Sequence, residues 1–195
     1  SSFRPSRLGL LANNRLGELL EQTIGRARLE DATIPLAVVA TDIGRGERVV
    51  LDRGPVVSAV LASACVPGIF QPVERDGRLL VDGGLVENLP GSVARELGAR
   101  TVIGADLNTR RSYQDPDDLV DVILNATDIA INNATRLQAA AAIDLHIAPP
   151  LSSYGRLRSQ RGAQLIEEGY RAARAALSDW HGGHRDAAPR RTSDD

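Results

Sequence analysis

Hydrophobic positions follow two different spacings along this chain, and the spacings predict its elements. Leu16, Leu19, Leu20 and Ile24 share one helical face, which Asn13 or Asn14 can cap and Gly25 can close. Residues 35–40 are an unbroken apolar run of strand length, the pattern of a strand covered on both faces. Residues 42–46 read as a turn into a second strand over 47–51. Pro55 is placed to open a short helix over 56–64, which Pro67 ends. Residues 70–74 and 78–81 flank Asp76-Gly77, a strong hairpin signal. A short helix over 92–97 stops at Gly98, and 101–105 is another strand. Asp115 and Pro116 start a long helix with Leu119, Ile123, Ala126, Ala130, Ala134 and Leu137 along its inner face. A strand over 143–148 ends at Pro149-Pro150, and Ser159 can cap a last helix with inner face Ile166, Tyr170, Ala173 and Leu177.

This interleaving predicts an α/β fold, a three-layer α/β/α sandwich around a mixed sheet. Residues 1–11 form a basic, irregular lead-in, 12–177 the domain, and 178–195 a frayed, flexible tail without periodicity. With 195 residues, 43% hydrophobic and 25% charged, the composition is that of an ordinary soluble domain. A formal net charge of −2 gives no reason to expect nucleic acid as a partner. The single cysteine, Cys65, allows no internal disulfide and fits a reducing compartment, so the cytoplasm is the expected location. All 23 basic residues are arginine, which removes lysine-based chemistry. Methionine is absent even at position 1, which predicts a piece of a longer product or a processed chain.

One stretch carries chemistry. Ala62-Ser63-Ala64-Cys65-Val66-Pro67-Gly68-Ile69-Phe70-Gln71-Pro72-Val73 precedes Leu79-Leu80-Val81-Asp82-Gly83-Gly84-Leu85-Val86-Glu87-Asn88-Leu89-Pro90. Asp82 sits where an apolar strand runs into two glycines, and the carboxyl ends of strands are the usual site edge of an α/β sheet. Gly83 and Gly84 can take positive φ, let the backbone pass close to another segment, and offer amides that keep the carboxylate ionised. The tripeptide by itself reads more readily as a plain loop opening than as a site.

The whole stretch closely resembles the patatin-like phospholipases, a family of acyl hydrolases. Their A-S-x-A-x-P-x-x-F-x-P-V segment, hairpin, D-G-G motif and N-x-P follow here in order and at matching spacing. The resemblance continues through residues 35–42, 101–106, 143–149 and 165–173. It implies a lipid or ester substrate, no cofactor, room for peripheral contact with a membrane, and a serine–aspartate dyad. In that dyad a serine in G-x-S-x-G attacks the ester carbonyl, and the motif aspartate takes its proton without a histidine. Only Asp82, with Gly83 and Gly84, carries over; an ordinary aspartate pKa of about 3.9 would leave it ionised at neutral pH. No serine here has glycine two positions before and two after it, and no glycine-rich oxyanion loop precedes residue 35. The resemblance therefore implies an N-terminally truncated domain, the aspartate half of a lipid acyl hydrolase, inactive alone. Truncation is also expected to leave the strand over 35–40 with an unpaired edge.

Other residues read as structural. Ser63 lacks the elbow that exposes a nucleophile, and Cys65 is a small core residue. His181 and His184 have no partners at metal-ligand spacing, so no metal site is expected. His146 lies in a strand facing a polar layer, and Arg45 and Arg48 read as solvated charges. The competing reading is a non-catalytic α/β binding module or a degenerate hydrolase relative. Against a module, the chain has no G-x-G-x-x-G or phosphate-loop pattern.

Overall fold

The computed structural model describes residues 14–108, 115–152, 154 and 161–185. The backbone forms two compact units that divide after Pro90. Antiparallel strand pairs in the first and a parallel pair in the second, each with helices, make an α/β fold.

In the first unit, α1 spans Asn14–Ile24 and ends at Gly25, whose φ of 67° is the left-handed closure the sequence signalled. Gly17 of α1 lies against Leu61, 3.4 Å from where a Cβ would stand, so the helix packs closely on α2, Val56–Ser63. Strands β1 (Val38–Asp42), β2 (Glu47–Leu51), β3 (Val73–Arg75) and β4 (Arg78–Asp82) lie in the order β2-β1-β4-β3. All neighbours are antiparallel. The β3–β4 turn has Asp76 at φ 51° and Gly77 at φ 71°, the double positive φ of a tight hairpin turn that matches strand twist. Leu29, Ala40, Leu51, Ala59, Ala62 and Leu80 form the core cluster.

The strand expected over 35–40 instead starts at Val38, and Ile34 and Leu36 are exposed. β2 pairs with all of β1, whereas β4 pairs only with Ala40–Asp42, so within the apolar run Ala40 is paired on both sides and Val38 and Val39 are paired with β2 alone. Val39 and Ala40 of the run are buried, and burial continues into Thr41 and Asp42, polar residues outside it. Asp42 accepts bonds from the amides of Gly44 (3.0 Å) and Arg45 (3.2 Å) and from the Arg45 guanidinium (2.7 Å). Arg45 holds the Asp42 carboxyl below the usual range, so this arginine is an ion-pair partner rather than a freely solvated charge.

A one-turn 3-10 helix, Leu29–Asp31, has no periodic signature and was not expected. Leu29 plugs the core, and Glu30 ties the turn to the start of α2: its carboxylate accepts from Gly54 N (2.7 Å) and from Arg28 (2.7 and 2.9 Å). Its own amide, the Gly54 amide and Arg28 lower its pKa from 4.5 to about 2. A depressed carboxylate pKa contributes stability that is complete above the unfolded value and fades as pH falls through the folded one. Thermal melts of wild type and Glu30→Gln should therefore differ above about pH 4.5, with wild type higher, and converge towards pH 2. A difference that persists at pH 2 would contradict this tether.

In the second unit, α4 spans Gly91–Glu96, β5 Ile103–Ala105, α5 Leu119–Ala142, β6 Leu145–Ile147 and α6 Gly162–Arg185. Strands β5 and β6 are parallel. The N-cap of α5 is Asp118, whose side chain accepts from Asp121 N, not Asp115. Leu119, Ile123, Ala126, Ala130, Ala134 and Leu137 are all exposed; the expected inner face is the outer one. The helix packs through small residues instead, with Thr135 and Ala139 buried and Ala142 close to Gly91 of α4. The Thr135 hydroxyl bonds Ile131 O (2.7 Å), so burying it leaves no orphan donor. In α6, Ile166 and Tyr170 are exposed, whereas Ala173 and Leu177 of the expected inner face are half-buried, together with Leu165, Ala172 and Ala176. The helix continues to Arg185, through the first part of the expected tail. Residues 1–11, Ser159 and residues 186–195 lie outside the described residues.

Candidate active site

Asp82 is the last residue of β4, and three neighbours hold its backbone and carboxylate. Its amide donates to Cys65 O (2.9 Å) in the loop after α2. Its carbonyl accepts the Thr41 hydroxyl of β1 (2.8 Å). Its Oδ1 accepts the Gly84 amide (2.8 Å). Among the described residues, no hydrogen bond reaches Oδ2. One carboxylate oxygen is therefore oriented and the other is open to a proton donor.

The segment before the hairpin builds the loop that holds Asp82. Ser63 ends α2, and Cys65 is fully buried with its thiol donating to Gln71 O (3.1 Å). Cys65 is thus the core residue expected, and its carbonyl is what fixes Asp82. Gly68, at φ 83°, lets the loop turn after Pro67.

Of the roles the sequence suggested for the two glycines, close approach and an amide bond to the carboxylate are present, and positive φ is not. Gly83 has φ −66°, and Gly84 opens a short helix, α3, Gly84–Glu87. Neither has positive φ. Gly83 is required by close approach: a Cβ there would stand 2.2 Å from Val39 O and 2.6 Å from Val39 C. Of the two amides expected at the carboxylate, that of Gly84 makes the bond.

The electrostatics of Asp82 also differ from an ordinary aspartate. Burial pushes its pKa above the usual 3.8, and the Gly84 amide offsets part of that rise. A raised value makes the ionised carboxylate a stronger base than a solvated one.

Glu87 and Asp106 escaped the sequence reading, because an isolated acid in a mixed segment carries no pattern. Glu87, at the end of α3, is buried and accepts from Arg48 of β2 (Nη1 to Oε2, 2.7 Å). Arg48 is therefore not a solvated charge. In the second unit, buried Asp106 follows β5, accepts from Asn108 N (2.8 Å), and lies 3.2 Å from His146 Nε2. His146 does face a polar group, namely this carboxylate. His181 and His184 lie on α6. Among the described residues, no three His, Cys, Asp or Glu side chains converge as metal ligands. No described helix is long and apolar enough to cross a membrane.

Residues 2–95 match the family model described as patatin-like phospholipase. That span includes α2, the Cys65 loop, the hairpin, Asp82 and α3. A protein of the NTE family from Mycobacterium bovis is 36% identical over 103 residues, covering 53% of this chain and 29% of its own length. Another from Mycobacterium tuberculosis is 31% identical over 195 residues, covering 86% of this chain and 33% of the relative. Patatin-like phospholipase domain-containing protein 7 of Mus musculus is 28% identical over 184 residues, covering 78% of this chain and 13% of the relative. The chain thus spans a third or less of the length of these relatives. With the motif residues in place around an oriented aspartate, the chain belongs to the patatin-like phospholipase family.

Proposed function

We propose that this chain supplies the aspartate base of a serine–aspartate dyad in a lipid acyl hydrolase. The serine belongs to a G-x-S-x-G segment outside residues 1–195. The observation that carries the reading is the asymmetry of Asp82: Oδ1 is held by Gly84 N, and among the described residues no hydrogen bond reaches Oδ2. In the reaction, the serine Oγ attacks the ester carbonyl carbon while its proton passes to the ionised carboxylate. The protonated Asp82 then returns that proton to the leaving alkoxide as the carbonyl–oxygen bond breaks, leaving an acyl-serine. Water attacks the acyl-serine with the same carboxylate as base, releasing the fatty acid and restoring the serine. No histidine takes part. Burial of Asp82 supports this role, because a dry carboxylate takes a proton more readily than a hydrated one.

Nucleophile and oxyanion donors are each worth orders of magnitude in rate. Residues 1–195 expressed alone should therefore show no p-nitrophenyl ester hydrolysis and no labelling by a serine-directed fluorophosphonate. The parent reading frame with a G-x-S-x-G segment should show both. Fluorophosphonate-sensitive turnover by the isolated chain would place a nucleophile among its own serines and overturn the reading.

A further inference from the structure

The bond that orients Asp82 depends on where α3 sits, because the donor Gly84 is the first residue of that four-residue helix. A single helical turn does not hold its own position in water. Contacts at both of its ends help to fix it. At its start, Gly83 rests on the Val39 carbonyl with no room for a side chain. At its end, Glu87 is buried and paired with Arg48 of β2 at 2.7 Å. The Glu87 amide also closes the turn onto Gly83 O (2.9 Å), so a shift at Glu87 is passed directly to the glycines. Arg48 stands opposite Thr41 in the β1–β2 register, and the Thr41 hydroxyl holds the Asp82 carbonyl. One arginine therefore links the strand that anchors the Asp82 backbone to the helix that anchors its carboxylate.

We propose that Arg48 and Glu87 are positioning residues for Asp82: their ion pair holds α3 so that the Gly84 amide stays on Oδ1 and Oδ2 stays free. The inference rests on Asp82 being the catalytic base, and neither residue touches the reacting atoms. Removing a partner should let α3 move, weaken the Gly84 bond, and remove the contact that favours the ionised carboxylate. The Asp82 titration should then move to higher pH, by roughly one unit. Turnover should fall about tenfold to a hundredfold through misorientation, with KM changed less than about twofold.

Two measurements test this. In residues 1–195, the Asp82 carboxyl carbon is titrated by NMR in wild type, Arg48→Met and Glu87→Gln. In the full-length protein, the acid limb of kcat/KM for a p-nitrophenyl ester is followed for the same variants, with Arg48→Lys as the conservative rescue. The expected result is an upward shift of both midpoints, a fall in kcat, and substantial recovery in Arg48→Lys. Should a single variant fail to fold because a buried charge is left uncompensated, Arg48→Met/Glu87→Met removes both charges and reports the same quantities. Folded variants with unchanged midpoints overturn the proposal, even if kcat falls. If the midpoints shift while Asp82→Asn leaves turnover intact, the positioning contact stands and the dyad reading fails.

Discussion

Asp82→Asn in the full-length protein should lower p-nitrophenyl ester turnover by about three to four orders of magnitude, the loss typical of removing a base from a nucleophile–base pair. Asparagine keeps the shape, and its carbonyl oxygen can still accept the Gly84 amide, so α3 and the hairpin stay in place. What disappears is the proposed acceptor for the serine proton. The same variant carries an internal check on folding. Burial raises the Asp82 pKa, so folding penalises the ionised form. That penalty develops as pH rises through the ordinary value of 3.8 and is complete above the raised one. Removing the charge should therefore raise the melting temperature of residues 1–195 at pH 7, by about 1–3 °C. The advantage should vanish below the ordinary carboxylate range, where wild type is protonated in both states. Comparable turnover in wild type and variant would remove Asp82 from the reaction. A variant that loses activity and melts lower at pH 7 would be a folding defect instead.

Gly83→Ala should be strongly destabilising, by about 3 kcal/mol or more, enough to remove much of the stability of a small domain. At φ −66° an alanine meets no left-handed backbone penalty. The whole cost comes from a Cβ placed 2.2 Å from Val39 O, a carbonyl of β1 held opposite Val50 of β2 and next to the first β1–β4 pair, Ala40 with Asp82. Neither backbone can yield without breaking the β1–β4 pairing. Gly84→Ala is the control, because its Cβ would meet side-chain atoms, Asp82 Oδ1 at 3.1 Å and Asn88 Oδ1 at 3.2 Å. It should cost far less stability while disturbing the carboxylate. Urea unfolding of both variants separates the two cases. A Gly83→Ala protein as stable as wild type would show that the close approach does not exist.

Local chemistry was legible in the sequence wherever it acts within a few residues. Asp76-Gly77 made a hairpin because those two positions tolerate positive φ. Gly25 closed α1 for the same reason, and Asp82 fell at a strand end because the apolar run stops there. The order of motif residues around Asp82 was enough to indicate the family. Tertiary structure decided what depends on the partner. Apolar spacing locates a helix but does not choose its buried face when small residues offer closer packing. So Leu119, Ile123 and Leu137 lie outside while Thr135 and Ala139 lie inside. Gly83 and Gly84 look alike in sequence, yet one is needed for its contact with Val39 and the other for the amide it gives Asp82. Arg48 and Glu87 stand 39 positions apart, and only the fold brings their charges to one contact and buries the acid there. The pKa of Asp82 belongs to the fold as well, since burial and a single amide set it against each other.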